Sequence, residues 1–145
     1  MQNPFWVATT ALLLAAGGAV AHNFGTGELR VQHPWTRATP ADARQAAAYM
    51  RIQNNGRAAD RLIAADSLVA GRVELRSAAG PAPAIDLPAR KSVRLEPGGV
   101  YLLLVDLKRP LLKGERIPIL LRFERSGEAH VEVEVQSAES RRPRH

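Results

Sequence analysis

The chain has 145 residues, enough for one domain with a core of its own and too few for two comfortable ones. Hydrophobic residues at 46% and charged residues at 23% exclude wholesale disorder, and the absence of cysteine excludes disulfides, thiolate metal sites and cysteine nucleophiles. The net charge of +6 implies no nucleic-acid partner, because the basic residues are spread out and not interleaved with aromatics.

Phe5–Ala21 is an uncharged apolar run ending in Ala19-Val20-Ala21, which fits the small-x-small rule of a secretory cleavage site. Residues 1–21 therefore read as a signal peptide. The segment "MQNP" ahead of the run holds no Lys or Arg, so an uncleaved anchor is the alternative, and a membrane contact is expected only in that case. Cleavage would leave His22 first in the mature chain, where its free amine and imidazole could hold a metal together. Residues 22–136 then form the folded domain, and residues 137–145, with the cluster "RRPRH", a basic flexible tail.

From Leu29 onward short alternating runs are separated by turn residues. Leu29–Trp35 precedes a polar loop whose segment Pro40–Gln45 carries the one short helical signal. Ala47–Gln53 ends at the turn Asn54–Gly56. Arg61–Ser67 and Gly71–Ser77 follow, then a low-complexity loop at Ala78–Ala89. Ser92–Glu96 and Val100–Leu107 flank Gly98-Gly99, and Arg116–Glu124 contains Pro118, which demotes its beginning to an edge or bulge. His130–Gln136 is the clearest strand, with Val131, Val133 and Val135 inward and Glu132 and Glu134 towards water. Seven or eight strands without a helix to carry parallel crossovers predict an all-β, antiparallel β-sandwich.

Little here points to catalysis. His22, His33, His130 and His145 are isolated, the aspartates are scattered through turns, and Gly98-Gly99 is a turn, not a phosphate loop. No enzyme is expected; a secreted enzyme of another type is the remaining alternative. Trp35 reads as a core or sandwich-end anchor with His33 packed beside it. Met50 reads as a core gap-filler.

Four stretches carry a resemblance. They are "HPWTRATPADARQAAAYMRIQNNG" (His33–Gly56), "DRLIAADSLVAGRVELR" (Asp60–Arg76), "VRLEPGGVYLLLVDLKRPLLKGERIPILLRFERSGE" (Val93–Glu128) and "HVEVEV" (His130–Val135). In order and spacing they resemble the PCuAC family of periplasmic copper(I) chaperones. The resemblance implies a cupredoxin-like sandwich of the broader immunoglobulin-like kind, a periplasmic location, and copper delivery towards cytochrome oxidase assembly. It implies copper as the cargo, and a copper-delivery or oxidase-assembly factor as the protein partner.

The family binds Cu(I) through a pattern H-x(10)-M-x(21)-H-x-M, in which soft thioethers and imidazoles suit the ion. Its first histidine falls on Arg76, at the end of "VELR", and its closing H-x-M on Tyr101-Leu102-Leu103. Arg76 to Tyr101 spans 25 positions where the pattern spans 33, so about eight residues of the intervening hairpin are missing, and no Met lies between them. The resemblance therefore implies the scaffold without its usual Cu(I) ligands, and possession of any cofactor is open. Two readings follow for a family member of this kind. Arg76, Tyr101 and Leu103 could form a partner surface, or His22, with His33 or His130, could carry Cu(II) instead.

Overall fold

The structure is a computed structural model and describes residues 23–144. Eleven strands occur among the described residues and no helix, so none is long and apolar enough to cross a membrane. They are β1 (Asn23–Thr26), β2 (Leu29–Arg37), β3 (Gln45–Asn54), β4 (Asp60–Asp66), β5 (Ala70–Ser77) and β6 (Gly80–Pro81). These are followed by β7 (Ile85–Leu87), β8 (Ser92–Leu95), β9 (Tyr101–Leu107), β10 (Arg116–Phe123) and β11 (Gly127–Gln136).

All eight predicted runs are strands. The architecture they build differs from the expected sandwich: β2, β11, β10, β4, β5, β9 and β3 pair in that order, and β3 pairs back onto β2, closing a seven-strand barrel. Inward-facing positions alternate identically along a sandwich strand and a barrel strand, so the pattern alone does not separate the two. The antiparallel expectation also needs correction, since β11 runs parallel to β2 through Glu134↔Trp35 and Gln136↔Arg37. No helical crossover is needed there, because the two strands lie at opposite ends of the chain and the rest of the barrel connects them.

Strands β1, β6 and β7 are additions to the expected count. Gly80–Pro81 continues the end of β5 as a two-residue hairpin arm. Ile85 and Leu87 turn inward beside the start of β4 while Asp86 faces out, so the supposed loop contains two strands too short to show a period. Pro40–Gln45 forms no helix: Pro40–Ala43 is a turn, closed by Ala43 N donating to Pro40 O, and Gln45 already begins β3. Six residues cannot offset the cost of nucleating one.

Pro118 does sit where one side of its strand is open. β10 pairs with β11 along its length, including Pro118↔Glu132, but its pairing with β4 begins only at Leu120↔Asp66. Ser67 Oγ, just past β4, donates to Pro118 O. The missing N–H points to that same side, where no strand needs it.

The barrel interior is filled by Val31, Ile52, Leu62, Leu102, Leu104, Ile117, Ile119, Leu121, Val131 and Val133, none more than 1% exposed. Met50 belongs to this cluster, as expected of a gap-filler. One end of the barrel is tied by Asp60, a buried carboxylate. Its Oδ1 accepts from the backbone N–H groups of Arg61 and Arg125, and its Oδ2 from the N–H and hydroxyl of Ser126. Ser126 O in turn accepts from Thr26 Oγ1. One side chain thus joins the start of β4 to the β10–β11 turn and, through it, to β1.

Burial pushes the Asp60 carboxyl upward, but the Ser126 hydroxyl and the three backbone donors outweigh it and hold the pKa below its ordinary value. A depressed folded pKa adds stability that is complete above the unfolded value, about pH 4, and is lost as pH falls through the lower folded value. Asp60→Ala strands three backbone donors and a hydroxyl, and should lower unfolding free energy by about 3 kcal/mol at neutral pH. Urea titrations should show that gap narrowing below about pH 4. An equal gap at every pH would mean the carboxylate charge is not what holds the turn.

Candidate functional site on the outer barrel face

The β5–β9 register sets Arg76 directly opposite Tyr101 and Glu74 opposite Leu103. Residues two apart on a strand share a face, so Arg76, Tyr101 and Leu103 stand together on the outside of the barrel. The structure thus brings together the three predicted positions, although they lie 25 positions apart in the chain.

The row continues across two more strands. The β3–β9 pairing places Ala47 beside Leu103, which puts Tyr49 next to Tyr101, and their ring centroids are 6.4 Å apart. Tyr49 pairs in turn with Trp35 of β2, at 4.8 Å between centroids and 43° between planes. Trp35, Tyr49, Tyr101 and Arg76 therefore form one transverse row over β2, β3, β9 and β5.

Trp35, expected as a core or sandwich-end anchor, is buried but outside the barrel's core cluster, as is Tyr49. The cause is a bulge. Between Gln32↔Arg51 and Trp35↔Tyr49, β2 holds one residue more than β3, and His33 there adopts a left-handed backbone with φ of 50°. That extra residue turns Trp35 outward and Thr36 inward, where its hydroxyl donates to Ala47 O. Arg37 then covers the outward-facing rings. Its guanidinium carbon lies 5.5 Å from each ring centroid, Nη1 reaches Tyr49 Oη at 3.3 Å, and Nε donates to Ser140 O at 2.6 Å.

At the other end of the row Arg76 Nη1 lies 3.5 Å from Glu74 Oε1. The chain of charge continues through Arg72 Nε to Glu74 Oε2 at 3.4 Å and Arg72 Nη1 to Asp106 Oδ2 at 3.4 Å. Glu74 was missed as part of this site. The alternation of Arg72, Glu74 and Arg76 in "RVELR" was the available signal, since all three must share one face. The Nε of Arg76 is buried without a hydrogen-bond partner.

The donors at these three positions are a guanidinium, a phenol and an isobutyl group. They do not fit Cu(I), which prefers thioether and imidazole, and the guanidinium cannot lose its proton to become a ligand. His130 is exposed on β11 opposite Leu120, His33 occupies the β2 bulge, and His22 lies outside the described residues. Among the described residues no group of three or more His, Cys, Asp or Glu could hold a metal ion.

A family model described as "Putative lipoprotein LpqE-like" matches residues 29–135, the span that contains the whole closed barrel. The chain belongs to this LpqE-like family, which is of PCuAC type. A copper-bound PCuAC domain from PmoF2 is 32% identical and superposes with a TM-score of 0.76, covering 80% of this chain and 98% of that one. The Cu(I) form of DR1885 from Deinococcus radiodurans is 27% identical with a TM-score of 0.66, covering 87% and 88%. A curated relative, "Putative lipoprotein Lxx21020" of Leifsonia xyli subsp. xyli, is 27% identical over 87% of this chain and 85% of its own length. The cupredoxin-like PCuAC fold expected from the resemblance is thus the fold observed, as a closed barrel with extra strands.

The stacked row gives a direct test within this LpqE-like chain. Arg37→Ala removes the cation over two rings and the tie to Ser140, and should lower stability by about 1–2 kcal/mol. In a Trp6→Phe background Trp35 emission should shift to the red as its cover is lost. Unchanged emission would mean that Arg37 does not shield the ring.

Proposed function

We propose that this chain is an exported member of the copper chaperone family whose Cu(I) site has been relinquished, and that it acts as an accessory or partner-binding module. It is not an enzyme. In this reading residues 1–21 are the export leader, residues 22–136 the working domain in the periplasm, and residues 137–145 its basic extension. The lipoprotein names borne by the family and its curated relative support export.

The observation that carries the reading is the donor chemistry at the Arg76–Tyr101 rung. A strand register that would gather family ligands on one face gathers a cation, a phenol and an alkyl group. Tyr and Arg are frequent interface anchors, and Arg76, half-buried beside Glu74, is already desolvated at Nε. A protein partner that brings a carboxylate to Arg76 and an apolar surface to Tyr101 and Leu103 would satisfy all three. Such a partner belongs with copper delivery or oxidase assembly, the setting of the family.

A competition titration decides the matter. The chain should fail to withdraw Cu(I) from a chromophoric chelator, whereas the triple variant R76H/Y101H/L103M, which supplies two imidazoles and a thioether on the paired strands, should withdraw it. Withdrawal by the unaltered chain would overturn the lost-site reading. Cu(II) binding that disappears in His22→Ala would instead assign metal carriage to the amino terminus.

A further inference from the structure

Beside the aromatic row, where β8 pairs with β3 beyond Tyr49, a cavity of about 370 Å³ opens next to Trp35. Four arginines line it: Arg51 of β3, Arg94 of β8, and Arg141 and Arg142 beyond β11. Glu96 is the one carboxylate in its lining.

The arrangement is electrostatically unfavourable as it stands. Arg51 and Arg94 are direct cross-strand partners, and like charges placed opposite one another destabilise a sheet. Arg61, Arg72, Arg76, Arg109 and Arg122 are each ion-paired with a carboxylate, whereas Arg30 and Arg37 bond to backbone carbonyls instead. Among the described residues none of the four cavity arginines is ion-paired. Arg51 donates through Nη2 to Ser92 Oγ at 3.1 Å, while its Nε is buried with no hydrogen-bond partner. A buried charged donor left unmade is costly.

The cations are also held in place. With its amide oriented by its neighbours, buried Gln136 donates to Arg142 O at 2.9 Å and accepts from Arg144 N at 3.0 Å. Ser140 O accepts from Arg37 Nε at 2.6 Å, and Ser140 N donates to Ser137 O. The backbone after β11 is thereby drawn back over Trp35, bringing two more positive charges to a pair that already repels.

We infer that this cavity is an anion site for a phosphate-bearing ligand with an apolar portion. Four guanidiniums against one carboxylate leave a charge of +3, which a doubly charged phosphate group offsets better than a single carboxylate. The forked donors of arginine match phosphate oxygens bidentately. Pro97, which is exposed, and Pro143 in the same lining give the apolar portion its contact. The site uses neither Arg76 nor Tyr101, so it stands apart from the copper question and independently of the partner-binding reading.

The test is calorimetry on the full chain at low salt with phenyl phosphate, benzoate as the carboxylate counterpart, and vesicles of phosphatidylcholine with or without phosphatidic acid. Phenyl phosphate should bind saturably, and more tightly than benzoate. R51Q and R94Q should each weaken it by about tenfold or more, the loss of a charge-assisted bond, while R122Q on the opposite strands should not. R94Q should melt no lower than the unaltered chain without ligand, because it relieves the repulsion, so its loss of binding would not be a failure to fold. Binding confined to phosphatidic acid vesicles, and lost in R51Q and R94Q, would assign the phosphate to a lipid headgroup. The inference is overturned by no saturable response to any probe, by equal binding of benzoate, or by binding that R51Q and R94Q leave unchanged.

Discussion

Strand β2 has hydrogen-bonded partners on both edges, β3 on one side and β11 on the other, and everything else in the molecule follows from that double pairing. An open sheet with these strands would leave an unpaired edge at each end, a template for association with other chains. Closing the ring removes both edges of the barrel and encloses a core of branched aliphatic residues that needs few aromatics. The short strands β1, β6, β7 and β8 then attach outside the closed circuit, where their length suffices for local pairing.

The same strand carries the irregularity that creates the outer face. One extra residue at His33-Pro34 reverses the inside–outside alternation, so that Trp35 leaves the core and meets Tyr49 and, beyond it, Tyr101. A large ring on the outside of a barrel must find cover, and Arg37 and the backbone after β11 provide it. The row therefore links two surfaces of different character. At the Arg76 end Arg72 and Arg76 meet carboxylates; near Trp35, Arg51 and Arg94 stand opposite one another across paired strands and line one cavity with Arg141 and Arg142.

That contrast gives meaning to the net charge of +6. Along the chain the basic residues look evenly scattered. Folding pairs some of them with carboxylates and gathers four others around one cavity. Asp60 shows the complementary case at the barrel's end, where a single buried anion is satisfied by four donors from the start of β4 and the β10–β11 turn.

The sequence by itself determined the all-β class, the eight principal strands and the family. These were legible because alternation and turn residues are local properties that need no partner strand. Val131, Val133 and Val135 announced their strand. Only the tertiary structure decided that the sheet closes, that β2 and β11 run parallel, that Trp35 faces outward, and that Arg51, Arg94, Arg141 and Arg142 share one cavity. Each of these depends on register between segments far apart in the chain. A single inserted residue reverses which face a side chain takes, and no local pattern records where that residue falls against its partner.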